Sequence, residues 1–162
     1  MFAAVATGVR LDQMLFALIL LQAVQVAILW LHDWLPLAPL NDVPAVRAAD
    51  TTLRLVVVTL IQSIPYTIGL VFTISGLSNG IPDWLWHWLW ISYGLLFIGE
   101  LRAWWLPYLV RPEPARAARY RTMFGATHAF LPERNGIRPN TLHVVLHVCT
   151  AATLVVLTLL TF

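Results

Sequence analysis

Residues 140–161, NTLHVVLHVCTAATLVVLTLLT, decide the fold class of this chain. About 20 apolar residues, rising ~1.5 Å each in a helix, span the hydrocarbon core of a bilayer, and this stretch is that long. It contains no Asp, Glu, Lys or Arg, but His143 and His147 lie four residues apart inside it. The stretch therefore predicts a transmembrane helix that carries two imidazoles on one face.

Three more apolar runs precede this one, and the chain is 59% hydrophobic but only 11% charged. A soluble domain needs more charge than this to cover its surface. We therefore predict an all-α integral membrane protein, a single domain over residues 1–162 that forms a four-transmembrane-helix bundle. We expect the lipid bilayer to be its main partner and expect no nucleic acid partner. The predicted spans are residues 11–31, 51–75, 83–108 and 140–161.

The connections between these runs differ in composition. Residues 33–50 hold three prolines, which predict a stiff loop without regular helix. The longest connection, residues 111–140, is rich in arginine. Within it, residues 113–127 predict either a short helix in the headgroup layer or a solvated loop. In the helical case one face would carry Ala117, Tyr120 and Phe124.

The arginine distribution predicts the orientation. The connections after the first and third spans hold seven arginines, whereas the opposite side offers only Arg10. The positive-inside rule then places both arginine-containing loops in the cytoplasm and both termini outside, in the plasma (inner) membrane. The first apolar run lacks the features of a cleaved signal peptide, so we expect it to be retained as a span. Trp104 and Trp105 are predicted to anchor the third span at the membrane interface.

Glu100 is the only carboxylate deep inside a predicted span. Counting the rise per residue places it at about the same depth as His147. A charge at such depth costs on the order of 2.5–3.5 kcal/mol, so Glu100 is expected to face the interior and to have a partner. The candidate partners are His147, Gln25 and Arg102.

Three interpretations of these buried polar residues remain open. One is a structural hydrogen-bond network from Glu100 to His147, as an accessory membrane subunit would need. Another is a divalent metal site in a membrane metalloenzyme, because imidazoles at i and i+4 share a helix face; its ligands would be His143, His147 and Glu100. Our preferred interpretation is a protein that binds or transports a small or lipid-like ligand, or carries protons, with transport requiring a homo-oligomer. Its predicted ligand-binding residues are Gln22, Gln25, Gln62, Tyr66, Glu100 and His147.

Overall fold

The computed structural model describes the backbone of residues 2–162 and the side chains of residues 11–162. Helices are the regular structure of this part of the chain, and no β-strand occurs in it, which confirms the all-helical prediction. The helices are α1 (Phe2–Leu31), α2 (Val43–Ala49), α3 (Thr52–Asn79), α4 (Asp83–Glu100), α5 (Leu106–Leu109), α6 (Pro114–Phe124) and α7 (Thr141–Thr161), with a π-helical segment, Leu101–Trp105, joining α4 to α5.

Three of these helices are long and apolar enough to cross a membrane: α3, α7 and the part of α1 from Leu11 to Leu31. They correspond to three of the four predicted spans. The remaining predicted span, residues 83–108, corresponds to α4, the π-helical segment and α5. Its long helix, α4, is not among the three because its four tryptophans, together with Asp83, His87 and Glu100, lower its mean hydropathy.

Short polar side chains mark the beginnings of several helices. Thr51 and Asn140 accept hydrogen bonds from backbone N–H groups in the first turns of α3 and α7, which would otherwise lack partners. The predicted loop over residues 33–50 is wrong in its second half, where α2 forms. Asp42 caps this helix, and Pro44 lies in its first turn, where a proline sacrifices no helical hydrogen bond.

The long helices pack in pairs around a shared interior. Helix α1 contacts α3 and α7, and α4 contacts the same two helices. The largest apolar side chains between them are fully buried, namely Leu18, Leu85, Leu89, Tyr93 and Leu157. Helix α3 instead contributes small residues to this interior. A Cβ added to its Gly69 would lie only 2.9 Å from a methyl carbon of Leu89, so α3 and α4 approach each other closely there.

Pro107 explains how α6 is attached to the long helices. Because proline has no N–H, the carbonyl of Ala103, four residues earlier, loses its helical donor. The hydroxyl of Tyr120 donates to this carbonyl at 3.1 Å, and the guanidinium of Arg116 donates to it at 3.3 Å. The turn before Pro107 is also the π-helical segment, a helix form that often occurs at functional sites.

Helix α6 is the short helix predicted within residues 113–127. Its predicted face is directed at the protein itself: Ala117 is buried, and Tyr120 and Phe124 pack around Trp104. The Tyr120 and Trp104 rings are stacked, with their centroids 4.2 Å apart. This face of α6 therefore packs against aromatic residues of the protein itself.

The connections fold together at one end of the long helices, which we call the loop end. Arg119 of α6 forms an ion pair with Asp50, and Arg54 of α3 forms a second one with the same carboxylate at 2.9 Å. The backbone N–H of His128 donates to the carbonyl of Pro39 at 2.7 Å. The opposite end, which we call the turn end, contains the tight connection between α3 and α4.

Candidate functional site

A cavity of about 410 Å³ lies among α1, α3, α4 and α7 toward the loop end. We call it the ligand cavity, after the ligand-binding residues that the sequence predicts in its wall. It unites most of the predicted site residues in one wall, namely Gln62, Tyr66, Glu100, His143 and His147. The other two predicted residues, Gln22 and Gln25, are fully buried outside this wall.

The ligand cavity opens sideways between α3 and α4. Ile61 of α3 and Leu95 of α4 belong to its wall and are 70% and 65% exposed. Gly99 belongs to the same wall, and a Cβ added to it would meet no atom within 4 Å. The opening is therefore apolar and uncrowded, while the buried carboxylate of Glu100 lies behind it.

Glu100 is the only acidic side chain in this wall, and it is 5% exposed. Its Oε1 accepts a hydrogen bond from the hydroxyl of Thr150 at 2.8 Å. Its Oε2 is buried and has no hydrogen-bond partner among the described residues. None of the ion pairs formed by the described side chains includes Glu100. The three candidate partners, His147, Gln25 and Arg102, therefore do not bond it directly, and Thr150 does.

Thr150 carries one hydroxyl proton but lies next to several acceptors. Its Oγ is 2.8 Å from Glu100 Oε1, 3.0 Å from Gln25 Oε1 and 3.1 Å from the carbonyl of Leu146. The amide nitrogen of Gln25 donates to the carbonyl of Leu21 at 2.9 Å, which fixes the amide orientation because a carbonyl can only accept. If Glu100 were protonated on Oε1, its O–H group would donate to Thr150 Oγ. The hydroxyl of Thr150 would then be free to donate to Gln25 Oε1. The geometry therefore suits a Glu100 that is protonated or faces a cation in the cavity.

Gln22 and Gln25 differ in their relation to the site. Gln25 bonds Thr150 and Thr153, so it acts on Glu100 through Thr150. Neither amide atom of Gln22 has a hydrogen-bond partner among the described residues. Gln22 Nε2 would lie 3.7 Å from a Cβ on Gly69, at the close approach of the helices. Gln22 therefore belongs to the core and has no hydrogen bond that connects it with the ligand cavity.

The two histidines of α7 occupy different tautomers. The indole N–H of Trp105 donates to His147 Nδ1 at 3.1 Å. A ring nitrogen that accepts carries no proton, so His147 is neutral with its proton on Nε2. His143 Nδ1 contacts Asn140 Oδ1, which also accepts the backbone N–H of His143 and is thereby identified as the oxygen. His143 Nδ1 therefore donates, and Nε2 is the ring atom that can accept a proton.

The predicted metal ligands are not assembled into a metal site. The ring centroids of His143 and His147 are 6.2 Å apart, and one nitrogen of each ring is already bonded within the protein. In the part of the chain that the structure describes, no three His, Cys, Asp or Glu side chains are arranged to hold a metal ion. We therefore assign no metal ligand among these residues.

Replacing Trp105 by phenylalanine is expected to release His147 from its single tautomer. The wild-type nitrogen NMR spectrum should show the His147 proton on Nε2, and the variant should show a mixture of tautomers because the donor to Nδ1 is gone. The lost bond should cost about 1 kcal/mol of stability. Trp88→Phe is the control, since that indole donates to the carbonyl of Pro65 at 3.0 Å. A His147 spectrum unchanged in Trp105→Phe would contradict the assignment.

Sequence reasoning missed three residues that shape the site: Gly99, Trp104 and Trp105. The two tryptophans were predicted to be interfacial anchors, yet the Trp104 ring lies 4.4 Å from that of His143. The sequence signal for them is Pro107, which disturbs the preceding turn. A π-helical turn holds more residues than an α-helical one and therefore shifts the helix register.

Comparisons of this chain with models of protein families, with curated proteins and with solved structures found no match. No activity can therefore be carried over from a relative. The functional conclusion depends on the geometry and chemistry of the site itself.

Proposed function

We propose that this chain is an integral membrane protein with four spans, formed by α1, α3, the segment 83–109 and α7. Three of these are apolar enough to cross a membrane, and the segment 83–109 carries four tryptophans near its beginning, where they favour the headgroup level. The arginines of the loop end support a cytoplasmic location for that end, in the plasma (inner) membrane. Arg10, the only arginine predicted on the other side, lies outside the residues whose side chains are described.

Within this membrane protein, the ligand cavity binds an amphiphile that has a protonated amine and an apolar chain. The observation that carries this proposal is Glu100 Oε2, which is buried and unpartnered among the described residues. A charge at this depth costs on the order of 2.5–3.5 kcal/mol. The ammonium group of a ligand would provide both a hydrogen-bond donor and the missing counter-charge.

The dimensions and the lining of the cavity support such a ligand. Small-molecule sites usually measure roughly 300–1,000 Å³, and the ligand cavity measures about 410 Å³. Its apolar opening at Ile61 and Leu95 would let the ligand chain extend among lipid tails. Gln62, Tyr66 and His147 would surround the polar head.

The same features favour ligand binding over the two alternatives. An accessory subunit should have a tightly packed interior whose polar groups hydrogen-bond one another. This interior instead has a cavity and a carboxylate, Glu100, with one unpartnered oxygen among the described residues. A metalloenzyme should bring Glu100, His143 and His147 to one point, whereas the described residues show no such convergence. If the protein also transports its ligand, an exit on a second side is required, which four helices provide most readily in a homo-oligomer.

Photolabelling tests this function directly. A long-chain alkylamine with a photoreactive diazirine in its chain is added to the protein in nanodiscs, and labelled peptides are identified by mass spectrometry. We expect labelling at Ile61 and Leu95 in the wild type. Glu100→Gln should reduce it about tenfold or more, equivalent to ~1.4 kcal/mol of binding free energy, because an amide cannot neutralise an ammonium group.

Glu133→Gln is the matched control, because this carboxylate is 53% exposed at the loop end. It should be labelled like the wild type. Unchanged labelling of Glu100→Gln, or equally strong labelling by an uncharged alkyl alcohol of the same length, would refute a role for the ammonium group.

A further inference from the structure

A second cavity, of about 250 Å³, lies at the loop end beside α6. We call it the loop-end cavity. Its wall includes four charged side chains, Asp33, Asp50, Arg54 and Arg119. It shares four wall residues with the ligand cavity, His32, Gln62, Trp104 and His143. Both cavities are many times larger than the roughly 30 Å³ that one water molecule occupies in the liquid. They meet at His32 and His143, between the charged loop end and Glu100.

His32 and Asp33 hold a proton that can be transferred. His32 Nδ1 lies 2.9 Å from the carbonyl oxygen of Ile28, which can only accept, so Nδ1 carries a proton. His32 Nε2 lies 3.3 Å from Asp33 Oδ1. An unprotonated ring nitrogen and a carboxylate oxygen are both acceptors, so this contact needs a second proton, either on the ring or on the carboxyl group. Burial raises the pKa of Asp33 despite the opposing effect of the neighbouring His32, which helps the pair to retain that proton.

His143 is placed to receive the proton. Its ring meets that of His32 edge to face, with the centroids 5.8 Å apart. Because Asn140 holds the Nδ1 proton of His143, Nε2 is the atom that accepts. His143 also lines the ligand cavity together with Glu100, whose Oε2 is unpartnered there.

We propose that His32 and His143 form a proton path from the loop-end cavity to Glu100, through which the cytoplasmic side controls ligand binding. This inference rests on the proposed amine-binding function and adds its regulation. A proton on Glu100 removes the negative charge that holds the ammonium group, so the ligand is released. Loss of that proton restores the binding site.

The transfer is balanced at each step. A proton leaves the His32–Asp33 pair and binds Nε2 of His143. The ring becomes an imidazolium, and its Nδ1–H continues to donate to Asn140 Oδ1. The imidazolium passes the Nε2 proton through water in the ligand cavity to Oε2 of Glu100 and becomes neutral again. The His32–Asp33 pair regains a proton from the aqueous solution, carried by a hydronium ion or a protonated buffer through the loop-end cavity.

Other titratable and charged groups surround both ends of this path. Those around the His32–Asp33 pair are Asp50, Arg54 of α3 and Arg119 of α6. Since the single carboxylate of Asp50 pairs with both arginines, these three groups leave about one net positive charge beside the entrance. Those around Glu100 are Tyr66 of α3, and His143, His147 and Cys149 of α7.

Infrared spectroscopy of the whole protein in nanodiscs tests the path. The C=O stretching band of the protonated Glu100 carboxyl is identified by its loss in Glu100→Gln, and its shift is followed after transfer into D₂O at several pH values. His143→Phe keeps an aromatic ring beside Trp104 but removes both nitrogens. We expect it to slow deuterium exchange at Glu100 about a hundredfold or more, the lower end of what a positioned acid–base group provides.

His87→Phe is the matched control, because His87 is exposed at the turn end of α4, and it should exchange at the wild-type rate. His32→Phe should slow exchange like His143→Phe, and it serves alone if circular dichroism shows that His143→Phe is unfolded. Wild-type exchange in a folded variant, or no Glu100 band at any pH, would overturn the path. Alkylamine labelling of the wild type in the same nanodiscs separates the two proposals. Normal labelling of the wild type, with unchanged exchange in the variants, overturns only the path. Absent labelling of the wild type overturns the ligand site.

Discussion

Replacing Gly99 by leucine is expected to reduce alkylamine labelling of the ligand cavity about tenfold or more, a loss of ~1.4 kcal/mol in binding free energy. Gly99 lies at the opening between α3 and α4, where a Cβ would meet no atom within 4 Å. A leucine side chain therefore has room to extend across the opening without displacing a helix. It would occupy the space through which the apolar chain of the ligand reaches the lipid. The measurement is the photolabelling yield in nanodiscs.

Gly94→Leu provides the matched control for this substitution. Gly94 lies on the same helix, and a Cβ there also meets no atom within 4 Å, but it is not part of the cavity wall. Both variants should retain the helix content and unfolding behaviour of the wild type. If both were labelled as strongly as the wild type, the ligand would not enter between α3 and α4.

Replacing Thr150 by valine should lower the free energy of unfolding by about 2 kcal/mol. Valine keeps the shape of the side chain but removes the hydroxyl that serves Glu100 Oε1 and Gln25 Oε1. A buried acceptor left without a donor costs ~1–3 kcal/mol, although hydrogen bonds measured inside membranes average about 0.6 kcal/mol. Glu100 and Gln25 lose their shared hydrogen-bond partner together here, which supports a value near the middle of that range. Equilibrium unfolding in mixed detergent micelles with increasing SDS measures the change.

Thr158→Val is the control for the Thr150 experiment. Thr158 is on the same helix, is exposed, and its hydroxyl donates only to the carbonyl of Leu154 at 2.8 Å. Its substitution should change the free energy of unfolding by less than about 0.5 kcal/mol, as is usual for surface positions. Equal stability of the two variants would show that Thr150 is not the shared hydrogen-bonding group of the interior.

The helical spans were predictable because each depends on a property of one continuous segment. An apolar run of sufficient length must satisfy its own backbone hydrogen bonds when it is in lipid, and a helix does this locally. The prediction of residues 11–31 agrees with the apolar part of α1, and that of residues 140–161 begins one residue before α7. Helix α2 was missed because prolines were interpreted only as helix breakers. The position of Pro44 two residues after the capping residue Asp42, in the first helical turn, was the signal that mattered.

The sequence by itself also predicted that Glu100 and His147 lie at a similar depth, because the rise per residue along a helix is constant. Both do line one cavity. The tertiary structure alone decided that Thr150 bonds Glu100, that Trp105 bonds His147, and that Gln22 remains in the core. These contacts depend on how each helix is rotated and how far apart two helices lie. Pro107 and the π-helical turn change that rotation after Glu100, and Gly69 changes that separation, so no pattern within one helix could encode the site.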